Sequence, residues 1–190
     1  KLAATHLRLL GPHQIDNVRT AFTVLNQLNN SGTRVNFKSA TKGIENVHWP
    51  ARNQLVTHNP THIFVDGAHN DASAQALRKS IDSLFPELDQ LILILGTVRG
   101  HAPAAVAKEF MSLNPKIIAT ESRHPKSLTN FELSESLGSS KIAVFATATD
   151  TTDALKQAKS LANDNDLILA TGSLFVAAEI IEIEHGIAPE

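Results

Sequence analysis

The sequence holds no cysteine, which removes disulfide frameworks, thiolate metal sites and cysteine nucleophiles from consideration and fits a reducing compartment. It holds no basic tract either: 17 Lys and Arg stand against 19 Asp and Glu, for a net charge of −2. So balanced a surface gives no electrostatic footing for nucleic acid or an anionic membrane. No apolar run approaches the roughly 18 residues of a membrane span, and no signal peptide is visible, so a cytoplasmic protein is expected. No glycine is followed by lysine, which excludes a Walker-type phosphate loop, and neither G-x-S-x-G nor G-x-G-x-x-G occurs. His58 and His62 have H-x-x-x-H spacing, but Pro60 lies between them and argues against a helical zinc pair. What is present is ordinary for a soluble globular protein: 190 residues, 42% hydrophobic and 19% charged, enough for one good-sized domain with an appendage. The chain opens on Lys1 rather than Met, as a fragment of something longer would.

The apolar pattern changes along the chain. Leu2, Leu7, Leu9 and Leu10 alternate loosely and predict an edge strand before Gly11-Pro12. From His13 to Asn29 the spacing is helical, with Ile15, Val18, Phe22, Leu25 and Leu28 on one face. Residues 33 to 50 read as a connector with one helical turn at Ser39 to Lys42, and a boundary is placed near Val47. Beyond it, apolar runs at Gln54–Thr57, His62–Val65, Leu91–Leu95, Lys116–Ala119, Ile142–Phe145 and Leu167–Ala170 predict strands. Helical segments at Ala72–Leu84, Pro103–Met111, Asn130–Leu137 and Asp150–Ala162 separate the last five, and Leu174–Ile183 closes the chain. Such alternation predicts an α/β fold, a Rossmann-like, mostly parallel sheet with helices on both faces. Right-handed crossovers then bring the strands' carboxyl ends to one rim.

That rim receives Asp66-Gly67-Ala68-His69-Asn70, Gly96 to Gly100, Glu121 to Arg123, Thr147 to Thr149 and Thr171-Gly172-Ser173. A carboxylate and an imidazole three residues apart in a strand-to-helix turn stand where open α/β sheets bind ligands; equally, Asp66 is a helix cap and His69 a solvated loop residue. Ser173 is either an ordinary N-cap or part of an anion site at a helix start. His13 and Asn17 share a helical face, and the Asn17 amide suits a purine edge as well as it suits a polar surface. Trp49-Pro50 fixes a rigid, extended segment that presents Arg52 either to a phosphate or to solvent. Gly96-Thr97-Val98-Arg99-Gly100-His101 is a glycine-bearing turn, more simply structural than phosphate-binding. Taken alone, the set looks like half of a site.

Taken in order, G-P-H-Q-I-D-N at 11–17, W-P-A-R at 49–52, D-G-A-H-N at 66–70 and T-G-S-L-F at 171–175 resemble folylpolyglutamate synthase/dihydrofolate synthase, of the ATP-dependent Mur-ligase superfamily. The four motifs span essentially the whole chain and match the carboxyl-terminal part of such an enzyme. The resemblance implies that residues 1–46 are a helical remnant, the tail of a central ATPase domain, and that 47–190 are the C-terminal domain. It implies an amide ligase: ATP activates a carboxyl group of dihydropteroate or a folate as an acyl phosphate, and L-glutamate attacks. Asn17 would then meet adenine and Arg52 the nucleotide phosphates. Asp66 would hold the ribose and serve catalysis with His69, while His69 and Ser173 would stand near the incoming glutamate. Magnesium and most of the folate site would belong to the missing ATPase part, leaving these residues inert by themselves. Two departures are plain. The family's Trp-Pro-Gly-Arg carries Ala51 here, and its Asp-Lys-Asp shortly after the strand ending at Leu95 is absent, with Arg99 or His101 in place of the lysine. The competing reading is a stand-alone, non-catalytic α/β module that binds a nucleotide or another small molecule.

Overall fold

The computed structural model describes residues 6–58 and 61–188. Its frame is a six-stranded sheet in the order β1-β2-β6-β3-β4-β5. Five strands run parallel: β2 (His62–Val65), β6 (Leu167–Thr171), β3 (Leu91–Leu95), β4 (Lys116–Ala119) and β5 (Ala146–Thr147). β1 (Gln54–Thr57) is antiparallel at one edge. The three central strands are all but completely apolar because both of their faces are covered.

Alternate side chains of those strands enter two cores. Phe64, Leu93, Leu95 and Leu169 pack with α3 (Asp71–Leu84), α4 (Pro103–Lys108) and α5 (Asn130–Ser139). Val65, Ile92, Ile94 and Ile168 pack on the other face with α6 (Thr151–Leu161) and α7 (Leu174–His185). The doubly wound architecture expected from the alternation of strands and helices is therefore present, and it sets the loops after β2, β6 and β3 side by side.

Several local expectations are corrected. Residues 6–10 are not a strand, and the rest of the predicted edge strand lies outside the described residues. The helical turn predicted at Ser39 to Lys42 is a full helix, α2 (Phe37–Glu45), started by Asn36, whose side chain accepts the Ser39 N–H. The run Ile142–Phe145 delivers Ile142 to the core, but the ladder begins at Ala146, after Lys141 turns through a left-handed φ of 59°. α4 ends at Lys108 and a 3-10 turn over Met111–Leu113 follows. The first helix, α1 (His13–Asn30), forms where periodicity placed it, yet of its predicted apolar face Phe22 alone is buried, with Ile15 and Leu28 exposed. Among the described residues no helix is long and apolar enough to cross a membrane.

Candidate functional site

Asp66 continues the β2–β6 ladder, its N–H donating to the Ala170 carbonyl at 3.1 Å. Its side chain is 4% exposed. One carboxylate oxygen accepts the Asn53 N–H and the other the Ala68 N–H, both at 2.8 Å. Burial pushes this carboxyl above the usual range, while the two N–H bonds and the charges of Arg52 and His13 pull it back. Asp66 is thus a strap between the 51–53 turn and the end of β2, and the helix cap is Asn70. That residue forms a capping box with Ser73 at the start of α3. Gly67 does not have a left-handed φ; a Cβ there would sit 3.2 Å from Leu174 Cδ1, so its value is the close approach of α7.

His69 is exposed, with Nδ1 held at 2.9 Å from the Gly67 carbonyl. Its ring stacks on His101, centroids 4.6 Å apart and planes 25° from parallel. Partial burial and then the neighbouring His69 lower the His101 pKa, because two stacked imidazoles cannot both carry a proton cheaply. Since β6 lies between β2 and β3, the rings meet from loops on either side of the β6 turn. That turn is Thr171-Gly172-Ser173, fastened by Gly172 N–H to the Ala68 carbonyl at 2.9 Å. Ser173, 2% exposed, is the N-cap of α7 and accepts the Phe175 N–H at 3.1 Å. Of the two candidates for the missing lysine, Arg99 is committed elsewhere: it makes a two-pronged pair with Glu132 at 2.8 and 3.0 Å. The Arg99 guanidinium and the Thr129 N–H hold the Glu132 carboxyl at about 2. His101 is the one brought to His69.

Arg52 and Asn17 form a second group. Both line a groove of about 810 Å³ with Gln14, Val18, Ile44 and Trp49. Asn17 Nδ2 donates to Gln14 Oε1 at 2.9 Å, and Gln14 in turn meets His13 at 3.0 Å. Burial lowers the His13 pKa; Asp66 raises it and Arg52 lowers it, which sets the Arg52 charge near both. The extended Trp49-Pro50 segment predicted from sequence gives way to a turn at Pro50-Ala51. There Ala51 takes a φ of 58° and Asn53 one of 44°, a conformation that disfavours most side chains. Ala51 therefore accepts the left-handed backbone that a glycine would have supplied without strain.

The structure brings Asp66, His69 and Ser173 together at the rim and Arg52 with Asn17 at the groove, and it links the two through the Asp66–Asn53 bond. Sequence reasoning passed over Asn53, whose one signal was a residue type that tolerates left-handed turns. It also passed over Glu179 on α7, which is buried and accepts Thr151 Oγ1 at 2.6 Å and the Arg123 N–H at 2.8 Å, pinning the loop after β4. Among the described residues no group of three or more His, Asp or Glu side chains is set to hold a metal ion.

Comparison with known proteins bears on the family and the fold. A family model described as Mur ligase, glutamate ligase domain, matches residues 51–174. A protein of Halobacterium salinarum, described as a probable bifunctional folylpolyglutamate synthase/dihydropteroate synthase, is 26% identical over 180 residues, 93% of this chain and 21% of that protein. The dihydrofolate synthase/folylpolyglutamate synthase of Bacillus subtilis is 22% identical over 173 residues, 90% of this chain and 39% of its own length. In fold, the chain is similar to Mycobacterium tuberculosis folylpolyglutamate synthase complexed with ADP and AMPPCP, with a TM-score of 0.78 and 22% identity over 97% of this chain and 42% of that one. The chain thus spans from about a fifth to two fifths of the length of these proteins.

Proposed function

The chain belongs to the Mur ligase, glutamate ligase domain family, and from that premise we propose that it is the C-terminal part of an ATP-dependent amide ligase. The reaction joins L-glutamate to dihydropteroate, to a folate, or to both. ATP converts the acceptor carboxyl to an acyl phosphate; the glutamate amine attacks the carbonyl, and phosphate leaves. The observation that carries the reading is the sharing of one groove by the Arg52 guanidinium and the Asn17 amide, joined through Asp66 to a rim of imidazoles and a helix N-terminus.

Each chemical demand has a suitable group. An amide both donates to and accepts from an adenine edge, and the apolar wall of Val18, Ile44 and Trp49 suits the purine plane. A guanidinium pairs bidentately with phosphate oxygens. Asp66 turns what remains of its acceptor capacity toward a ribose diol. At the rim, His69 and Ser173 receive the incoming glutamate, where its carboxylates meet the positive end of α7, with His101 beside them in place of the absent lysine. The His69–His101 stack sets two imidazoles side by side, groups suited to take the proton that the glutamate ammonium sheds.

Magnesium would stand at the nucleotide phosphates, and nothing among the described residues forms a ligand set for it. Its ligands, the phosphate-binding loop and most of the acceptor site are assigned to an ATPase segment. Residues 1–46 are read as the tail of that segment and 47–190 as the glutamate ligase domain. The exposed Ile15, Val24 and Leu28 of α1 suit burial against the rest of it.

The test is phosphate release from MgATP in the presence of L-glutamate and either dihydropteroate or tetrahydrofolate. The chain alone is expected to be silent, and the chain joined to a family ATPase segment active. Arg52→Ala and His69→Ala are each expected to lower activity about a hundredfold. Activity of the 190 residues alone would overturn the inertness. Release that ignores glutamate in the joined protein would overturn the ligase reading and favour a non-catalytic binding module.

A further inference from the structure

Arg52 sits between two buried residues with left-handed backbones, and both are tied down. The Ala51 N–H donates to Gln54 Oε1 at 2.9 Å, and its carbonyl accepts the Gly67 N–H at 3.0 Å. Asn53 is 1% exposed and makes contacts in three directions. Its N–H goes to Asp66 at the end of β2, and its side-chain amide donates to Ser80 Oγ on α3 at 2.8 Å and to the Leu10 carbonyl at 3.0 Å. Leu10 leads through Gly11 directly into α1, the helix that carries Asn17. The junction is tight: a Cβ on Gly11, whose φ is +102°, would fall 2.3 Å from Asn53 Nδ2 and 2.6 Å from Ser80 Oγ.

We infer that Asn53 is a positioning residue: its side-chain amide locks the turn bearing Arg52 to the irregular segment entering α1, and so fixes the spacing between the Arg52 guanidinium and the Asn17 amide. The inference deepens the nucleotide reading of the groove and rests on it. A carbonyl and a hydroxyl 70 residues apart in sequence accept from one buried NH2 group. A hydrogen-bonded amide of this kind is directional and has no slack, whereas the apolar contacts of α1 with the sheet domain are few, Phe22 being its one buried apolar side chain. An apolar residue of similar size at position 53 would fill the space but leave the Leu10 carbonyl unheld.

The experiment is an NMR titration of the chain with MgADP into the millimolar range, following the Arg52 Nε–Hε and Asn17 side-chain amide signals. The proteins are wild type, Asn53→Gly, Arg52→Ala and the double variant. Glycine keeps the left-handed backbone and the N–H bond to Asp66 and deletes the amide lock alone. Should Asn53→Gly fail to fold, Asn53→Asp, which keeps the size and the left-handed tolerance but loses both donors, takes its place. Asn53→Gly is expected to bind ADP about tenfold more weakly, with the double variant no weaker than Arg52→Ala, because both lesions remove the same contact. Wild-type affinity in Asn53→Gly, or losses that add in the double variant, would overturn the inference and leave Asn53 a merely structural residue. If wild type shows no ADP-dependent shift at either signal, the nucleotide reading of the groove fails separately. The inference then stands on the nucleotide-free spectra: displaced Arg52 and Asn17 signals in Asn53→Gly support it, and unchanged signals overturn it.

Discussion

Gly172 and Gly100 offer a controlled measurement of how tightly the rim is built. Both have left-handed backbones, φ +94° and +91°, so an alanine at either position incurs the same conformational cost of about 1–2 kcal/mol. Their surroundings differ completely. A Cβ at Gly172 would lie 2.6 Å from the Gly96 carbonyl oxygen and 2.7 Å from Leu95 Cδ1, while at Gly100 nothing lies within 4 Å. Leu95 Cδ1 is a side-chain tip and can yield; the Gly96 oxygen belongs to the backbone that extends β3 and cannot move without disturbing the ladder with β6, where the Gly96 N–H donates to the Thr171 carbonyl at 3.2 Å. Forcing that separation adds about 1–3 kcal/mol, the usual cost of overpacking. Gly172→Ala is therefore expected to lose about 2–5 kcal/mol against about 1–2 for Gly100→Ala. For a domain of this size each kcal/mol is worth about 2–4 °C, so the extra cost of about 1–3 kcal/mol should set the Gly172→Ala midpoint roughly 2–12 °C below that of Gly100→Ala in thermal melts followed by circular dichroism. Equal midpoints would refute the claim that backbone contact, rather than φ alone, dictates glycine at 172.

Three further outcomes follow from the same geometry. Ala51→Gly relieves about 1–2 kcal/mol of left-handed strain but loses a buried methyl group worth about 0.8 kcal/mol and frees the unfolded chain by about 0.4–1 kcal/mol. Urea unfolding should therefore find it within about 1 kcal/mol of wild type, whereas Ala51→Val loses more than about 2 kcal/mol; a large loss for the glycine variant would contradict the strain. The Glu132 carboxyl should titrate near 2 by carbon-detected NMR and return toward the ordinary range in Arg99→Ala; because the folded value is depressed, the stability it contributes is present above the ordinary range and lost as pH falls through the folded value. Asp66 works in the opposite sense. Its carboxyl is raised by burial, so its contribution is present below the ordinary carboxylate pKa and lost as pH rises through the raised value, and an NMR midpoint below about 3.9 would contradict its desolvation.

What the sequence disclosed, and what it withheld, follows from how each signal arises. Leu91–Leu95 and Leu167–Thr171 are legible because a strand covered on both faces must be apolar throughout. Asp66, His69 and Ser173 are legible as neighbours because handed crossovers leave the ends of parallel strands no other place to go. Periodicity reports that α1 has an apolar stripe but not what covers it, and Ile15 and Leu28 of that stripe are exposed. α2 escaped because Thr41 and Gly43 interrupt its pattern, although the Asn36 cap was there to be read. The His69–His101 stack and the Asn53 junction join residues tens of positions apart, and no local pattern encodes such meetings.

The strand order has a consequence for how the molecule comes into being. β6, the last strand to be synthesised, is the one inserted between β2 and β3. Until Leu167 leaves the ribosome, the two halves of the sheet have no seam along which to join: Phe64 waits for Leu169, a partner 105 positions downstream, and Leu93 waits for the same residue from the other side. Closing such a distant contact is slow compared with helix formation, so the nascent chain carries its helices ahead of its sheet, with the inner edges of β2 and β3 unsatisfied. A ribosome stall or a proteolytic cut before residue 167 would therefore leave two adhesive edges rather than a smaller domain, a template for pairing between chains. Integrity of roughly the last eighth of the chain is a condition for the sheet to close.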